Sequence, residues 1–153
     1  MKALIQRVTK ASVSSGGSVV GRINQGIVAL VGIAINDTEV DAGYLAHKIV
    51  GLRIFSDAEG KFNLSLLDIK GDILLISQFT LLANTLKGRR PSFTKAAPPD
   101  QARALIDYLA QQLTTANVNV ETGRFQEHMQ LEIHNDGPVT IMLDSQEKLG
   151  RAS

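Results

Sequence analysis

The chain has 153 residues, of which 44% are hydrophobic, 20% charged and 5% aromatic. That length suits one domain and a self-sufficient core, and the composition excludes wholesale disorder. Cysteine is absent, which excludes disulfides, thiolate nucleophiles and Cys-ligated metal sites, and sixteen Lys+Arg against fifteen Asp+Glu leave a net charge of only +1.

With so little net charge, any nucleic-acid surface must come from local clustering. The start, Met1 to Val8, breaks its apolar run too early for a signal peptide. The longest apolar stretch, Ile27 to Ile35, is far short of the roughly 20 residues that a membrane-spanning helix needs. A soluble, cytoplasmic protein with no membrane association is expected.

The first third reads as strands. Ala3 to Val13 mixes β-branched and polar residues, Gly16-Gly17 offers a turn, and Ser18 to Ile23 completes a hairpin. Asn24-Gln25-Gly26 is a second turn, and Ile27 to Ile35 reads as a strand buried on both faces. Thr38 caps the first helix, with Asp41 as capping-box partner, and Val40, Tyr44, Leu45, Ile49 and Leu52 follow at helical spacing. Short strands are expected at Arg53–Phe55 and Phe62–Leu64, around a turn at Asp57–Gly60. A stronger strand runs from Asp72 to about Ala83. The second helix starts near Pro98-Pro99-Asp100, where proline suits the first turn, and Ala102, Leu105, Ile106, Leu109 and Leu113 form its apolar stripe. A final hairpin is expected from Met129–His134 and Val139–Leu143, around Asn135-Asp136-Gly137-Pro138. There is no repeat or linker. The pattern is that of one α/β domain, with helices packed on mainly antiparallel or mixed sheets.

Chemistry concentrates in two places. Ser77, Gln78 and Thr80 interrupt a strand that otherwise reads as core. A buried polar group costs about 1–3 kcal/mol without a partner, so these residues either pair internally or face a site. The three histidines are His47, His128 and His134, none at metal-ligand spacing, and no G-x-S-x-G elbow is present. No metal and no cofactor are expected. The following segment, Asn84 to Lys95, carries Lys87, Arg89, Arg90 and Lys95 with no acidic residue. Such a loop is either simply solvated or a grip for phosphates, and its place beside the polar-studded strand favours the second.

Taken in order, these segments resemble the D-aminoacyl-tRNA deacylase family. The resemblance runs through Met1–Val8, Gly60–Ser65, Ser77–Leu81, Lys87–Phe93, Thr122–Phe125 and Asn135–Thr140, nearly the whole chain to about Asp144. Each segment alone is weak, while the ordered set is specific. The resemblance implies a single domain over residues 1–145 with a tail over 146–153, and a three-layer β/β/α arrangement with mixed or antiparallel sheets and two main helices. It implies a homodimer, with active sites at the subunit interface, that hydrolyses the ester of D-aminoacyl-tRNA and of glycine misattached to alanine tRNA. A non-catalytic RNA-binding module and a small-molecule esterase are the alternatives.

The family's two signature motifs match at Ser77-Gln78-Phe79-Thr80 and at Gly137-Pro138. In the family the Gly-Pro bond is cis, and its turn enters the partner's site, where backbone carbonyls take the amino group and leave no room for an L side chain. Sequence alone gives no reason to make this bond cis, since only about 5–6% of X-Pro bonds are. Thr80 is either a nucleophile or a positioning group; the second is favoured, with adenosine's 2′-hydroxyl assisting water and backbone amides around Phe79 and Thr80 holding the oxyanion, because nothing adjacent in sequence activates Thr80. Ser77, Gln78 and Phe79 would shape an adenosine pocket, Met129 would line it, and Arg7 would brace the wall facing the other subunit. Lys87, Arg89, Arg90 and Lys95 would meet tRNA. Gln126-Glu127-His128 and His134 depart from the family pattern, which bears on the local pocket wall and the amino-acid preference.

Overall fold

A computed structural model describes residues 1–149, the side chains of 148 and 149 excepted. Eight strands and four α-helices follow the chain: β1 (Lys2–Ser15), β2 (Ser18–Ile23), β3 (Gly26–Gly32), α1 (Glu39–Gly51), β4 (Phe55–Ser56), β5 (Phe62–Leu64), α2 (Leu66–Ile69), β6 (Asp72–Ser77), α3 (Pro99–Thr115), β7 (Asn119–Thr122), β8 (Gln130–Asp144) and α4 (Ser145–Leu149). A single 3-10 turn, Phe79–Leu82, follows β6.

One mixed sheet carries the fold. Its order is β2-β1-β3-β6-β7, with β8 paired to β1. β1 runs antiparallel to β2, β3 and β8, whereas β3, β6 and β7 are mutually parallel. The two faces of β3 and β6 feed different cores, as strand alternation dictates. Ile27, Ala29, Val31, Ile73 and Leu75 face α1 and α3, meeting Leu45, Ile49, Leu109 and Leu113. Val28, Leu74 and Ile76 face the other way and meet Val8, Ala11, Val13 and Ile23. The second half of β1, with β2 and the first half of β8, therefore curls over the back of β3 and β6. That doubled sheet with helices on its outer side is the expected three-layer β/β/α arrangement.

The helix signals act as physical chemistry requires. Thr38 and Asp41 form a capping box: Val40 N donates to Thr38 Oγ1 at 3.3 Å, and Thr38 N donates to Asp41 Oδ2 at 2.9 Å. Pro99 opens α3, and Leu105, Ile106, Leu109 and Leu113 are its buried stripe. Fully burying such a side chain contributes roughly 1.5–3 kcal/mol. Val40 departs from the stripe read for α1; it sits in the first turn and is exposed.

Three sequence expectations are corrected. The strand read from Asp72 to Ala83 stops at Ser77, where Gln78 (φ −139°, ψ 78°) turns the chain into the 3-10 turn. Similarly, the strand read from Ile27 to Ile35 ends at Gly32, leaving Ala34 in one isolated bridge to Ala96. The final hairpin is not a hairpin. Met129–His134 and Val139–Leu143 would run opposite ways in one, yet both arms pair antiparallel to β1, so from Gln130 onward they lie in line as β8. Between them the register jumps: β1 advances from Gln6 to Val8 while β8 goes from Thr140 to Asn135. The surplus residues bulge out as the Asn135–Val139 turn, the general effect of inserted residues in a ladder.

The chain start is locked to α4. The Met1 ammonium donates to Asp37 Oδ1 at 2.6 Å and to Ser145 Oγ at 2.9 Å, with Met1 and Asp37 side chains fully buried. Ser145 Oγ in turn donates to Asp41 Oδ1 at 2.7 Å. Gln146, expected to begin a tail, is helical and donates through Nε2 to Asp41 Oδ1 at 3.3 Å; of that expected tail, residues 150–153 lie outside the described residues.

Candidate active site

β3, β6 and β7 end side by side, because all three run the same way. Crevices outside the carboxyl ends of parallel strands are recurrent binding sites, since loops diverge there. Here a cleft of about 740 Å³ opens at that edge. Its floor comes from the end of β6, Ile76, Ser77, Gln78 and Phe79. One wall is Phe93, Ala96 and Ala97, and the opposite wall is the Phe125–Met129 segment before β8.

The cleft therefore brings together four of the sequence-read residues, Ser77, Gln78, Phe79 and Met129. Thr80 joins them indirectly: Gln78 Nε2 donates to Thr80 Oγ1. This pairing exists because the strand breaks at Ser77. The N–H groups of Phe79 and Thr80, at the start of the 3-10 turn, donate to no backbone carbonyl, as the first amides of a helical turn must. Phe79 is 56% exposed and meets Phe93 edge-on, with centroids 5.0 Å apart and planes at 71°. A large exposed ring held by a second ring is a ready stacking surface.

In the Phe125–Met129 wall, only Met129 has a role assigned from sequence, with Gln126, Glu127 and His128 marked as departures bearing on the pocket wall; His134, marked with them, does not line the cleft. Gln126 holds φ +63°. Ser15 Oγ, reaching over from the end of β1, lies 2.6 Å from Glu127 Oε2 and donates to it. Arg124 N donates to Met129 Sδ at 3.3 Å, and the Arg103 guanidinium of α3 lies 4.9 Å from the Phe125 ring centroid. Glu127 and His128, departures from the family pattern, thus line the cleft itself. Among the described residues no group of three His, Asp or Glu side chains converges to hold a metal.

Gly137, Pro138 and Arg7 form a second, separate group. The Gly137–Pro138 bond is cis, and Gly137 has φ +126°. Arg7 is 8% exposed; its Nε donates to the Asp136 carbonyl at 3.1 Å and its Nη1 to the Ile54 carbonyl at 2.8 Å. The guanidinium also lies 5.3 Å from the Phe62 ring centroid. The turn is exposed and does not line this chain's own cleft.

Lys87, Arg89 and Arg90 sit exposed on a loop closed at its base by Asn84 and Ser92, whose backbones exchange hydrogen bonds of 2.8 and 2.9 Å. Lys95 lies past that base, also exposed.

The model of the family described as D-Tyr-tRNA(Tyr) deacylase matches residues 4–144. The chain belongs to the D-Tyr-tRNA(Tyr) deacylase family. A curated relative from Dehalococcoides mccartyi, named D-aminoacyl-tRNA deacylase, is 54% identical over 149 residues, 97% of each chain. One of the same name from Bacillus licheniformis is 54% identical over 145 residues, 95% of this chain and 99% of that one. Among solved structures, the c-Myc DNA unwinding element binding protein superposes with a TM-score of 0.89 at 41% identity, covering 94% of this chain and 98% of that one. A structure described as a probable eukaryotic D-amino acid tRNA deacylase has a TM-score of 0.80 at 18% identity, covering 93% and 97%, and shares the fold. No helix of the described residues is long and apolar enough to cross a membrane.

Proposed function

We propose that this protein hydrolyses the ester joining a D-amino acid to the terminal adenosine of tRNA, releasing the amino acid and free tRNA as a proofreading step of translation. The observation that carries the reading is the cleft where Ser77, Gln78, Phe79 and Met129 converge, in a chain 54% identical over 149 residues to a protein named D-aminoacyl-tRNA deacylase.

The chemistry asks little of side chains, because an aminoacyl ester is already activated. Adenine stacks on Phe79 and Met129, which sets the ester near the free amides of Phe79 and Thr80. Water attacks the carbonyl carbon with help from the 2′-hydroxyl. The carbonyl oxygen becomes an oxyanion and takes hydrogen bonds from those amides. The carbon–oxygen bond to the ribose then breaks, and the ribose oxygen takes a proton. Thr80 acts by holding Gln78, and positioning supplies the rest of the rate. Lys87, Arg89, Arg90 and Lys95 meet phosphates of the tRNA.

Chirality enters through a second copy. The active form is a cytoplasmic homodimer in which the exposed Gly137–Pro138 turn of one subunit enters the cleft of the other. Its backbone carbonyls take the substrate amino group, and its rigidity leaves no space for an L side chain. That is discrimination by steric exclusion; glycine, lacking a side chain, is admitted. The turn's exposure and its anchoring by Arg7 support this reading.

The test is deacylation by purified protein. Release of D-Tyr from D-Tyr-tRNA, with L-Tyr-tRNA left intact, is expected; equal loss of both would overturn the chiral mechanism. A second reading, a nucleic-acid-binding module without catalysis, is favoured by the exposed basic loop and by the similarity to the c-Myc DNA unwinding element binding protein, with its TM-score of 0.89. It predicts salt-sensitive tRNA binding with no deacylation.

A further inference from the structure

A second cavity, of about 560 Å³, lies behind the wall of the first. The two adjoin along one short partition, residues 93–97. Phe93, Ala96 and Ala97 line the active-site cleft, whereas Asn84, Leu86 and Lys95 line the second cavity. Lys95 and Ala96 are consecutive, so their Cα atoms are about 3.8 Å apart, and the two cavities approach within one residue of each other. The partition is fixed to the body of the fold, because Ile35 N donates to the Lys95 carbonyl at 3.0 Å and Ala97 N to the Ile33 carbonyl at 2.9 Å.

The lining of this cavity has donors to spare. Lys2 and Lys95 both reach it, and neither makes an ion pair with any described residue. Of its two acids only Asp37 is charge-paired; Asp144, opposite Lys2 across the β1–β8 ladder, is held by a backbone N–H. Asp37 holds the Met1 ammonium at 2.6 Å and accepts from Ala34 N at 2.6 Å, and Asp144 Oδ1 accepts from Gln146 N at 3.0 Å. Asn84 Oδ1 accepts from Leu86 N at 3.0 Å, and the Asn84 side-chain N–H groups have no acceptor among the described residues. Beside these lie Ile35, 51% exposed, and Leu86, 90% exposed.

Unpaired ammonium groups, spare amide donors and an apolar platform together suit a nucleotide: phosphate for the lysines, ring carbonyl for the amide, base face for the leucine. Resting on the function proposed above, we infer that the second cavity binds the nucleotide preceding the terminal adenosine, a cytidine in tRNA, so that the partition at residues 93–97 passes between two successive unstacked bases. The site would thereby read a polynucleotide end rather than a lone aminoacyl-adenosine.

The experiment compares D-tyrosyl-adenosine with D-tyrosyl-CpA, in which only the preceding cytidine and its phosphate are added. Wild-type protein should cleave the longer substrate with a kcat/KM on the order of tenfold higher, the worth of about one charged hydrogen bond, and CpA should compete more tightly than adenosine. In Lys95→Gln and, separately, Lys2→Gln, the ratio between the two substrates should fall towards one. Equal wild-type rates on both substrates, or a ratio that survives both substitutions, would overturn the inference while leaving the deacylase reading intact. Failure of wild-type protein to cleave either substrate, or charged tRNA, would instead remove the deacylase reading and this inference with it. Circular dichroism and thermal melting of each variant separate loss of the subsite from loss of the fold.

Discussion

Arg7 and Asp136 meet twice: the guanidinium Nε donates to the Asp136 carbonyl at 3.1 Å and lies 3.3 Å from the Asp136 carboxylate. The same guanidinium donates to the Ile54 carbonyl at 2.8 Å. One planar fork thus ties the projecting turn to the strand beside it and to the segment after α1. A lysine carries the charge but cannot present fixed donors in two directions. Arg7→Lys should lower stability by about 1–3 kcal/mol, read as a drop in thermal midpoint, and should raise cleavage of L-Tyr-tRNA relative to D-Tyr-tRNA. An unchanged ratio would show that Arg7 has no part in chiral selection.

Gly137 has no room for a side chain at its positive φ. A Cβ there would sit 2.9 Å from Val139 Cγ2 and 3.0 Å from Arg7 Nη2, at φ +126°. Only glycine occupies that backbone region without strain. Gly137→Ala should cut D-Tyr-tRNA hydrolysis by at least tenfold through displacement of the turn. Circular dichroism should stay native, because the sheet on either side does not depend on the tip. Wild-type activity in this variant would argue against any role of the turn.

Phe79 and Thr80 separate the two catalytic accounts. If Thr80 only holds Gln78, Thr80→Ala should keep activity within about tenfold of wild type. A nucleophile would lose several orders of magnitude. Phe79→Ala should raise KM with little change in kcat, since base stacking contributes about 1–3 kcal/mol of binding. Single-turnover assays on D-Tyr-tRNA measure both.

The ion pair at the chain start is buried, so its loss is costly. A Gly-Ser extension ahead of Met1 replaces the ammonium by an amide and leaves Asp37 without its counter-charge. A drop of about 3–5 kcal/mol is expected, as for other buried pairs deprived of one partner. Combining the extension with Asp37→Asn should recover part of it. Urea denaturation of the three proteins tests this.

Two turn carboxylates sit below their usual range. Asp57 is lowered mainly by the backbone N–H of Lys61, and Asp68 by that of Ser65. A lowered folded-state value means stability present above the ordinary value of 3.8 and lost as pH falls below it through the folded value. Asp57→Asn, which keeps an acceptor without the charge, should flatten the stability profile below pH 3.8 and lower stability at neutral pH, where the charged form's contribution is fully present. A profile identical to wild type through that range would rule Asp57 out.

Much of the fold was legible because local signals and tertiary demand agree. The capping box at Thr38 and Asp41 formed where read, and the apolar stripe from Leu105 to Leu113 faces the core. Misreadings came where local pattern and pairing diverge. Asn135-Asp136-Gly137-Pro138 has the composition of a hairpin tip, but a turn signal does not say whether the chain reverses. Only the register against β1 shows that it resumes its course. Ile76 to Leu82 kept an apolar pattern compatible with a strand, while the 3-10 turn was set by Gln78 leaving the sheet. At the site, Ser77, Gln78, Phe79 and Met129 share one cleft, whereas Glu127 and His128 were legible only as oddities. Their position depends on a loop whose left-handed Gln126 has no periodic signature.

β8 grips β1 on both flanks of the Asn135–Val139 excursion, at Gln6↔Thr140 below it and Val8↔Asn135 above. The excursion is therefore an appendage with a fixed mount: its exposed positions other than Gly137 can change without shifting the ladder on either side. Lineages could retune what fits beneath it by editing a handful of codons, and a protein engineer could graft a longer or shorter tip onto the same socket.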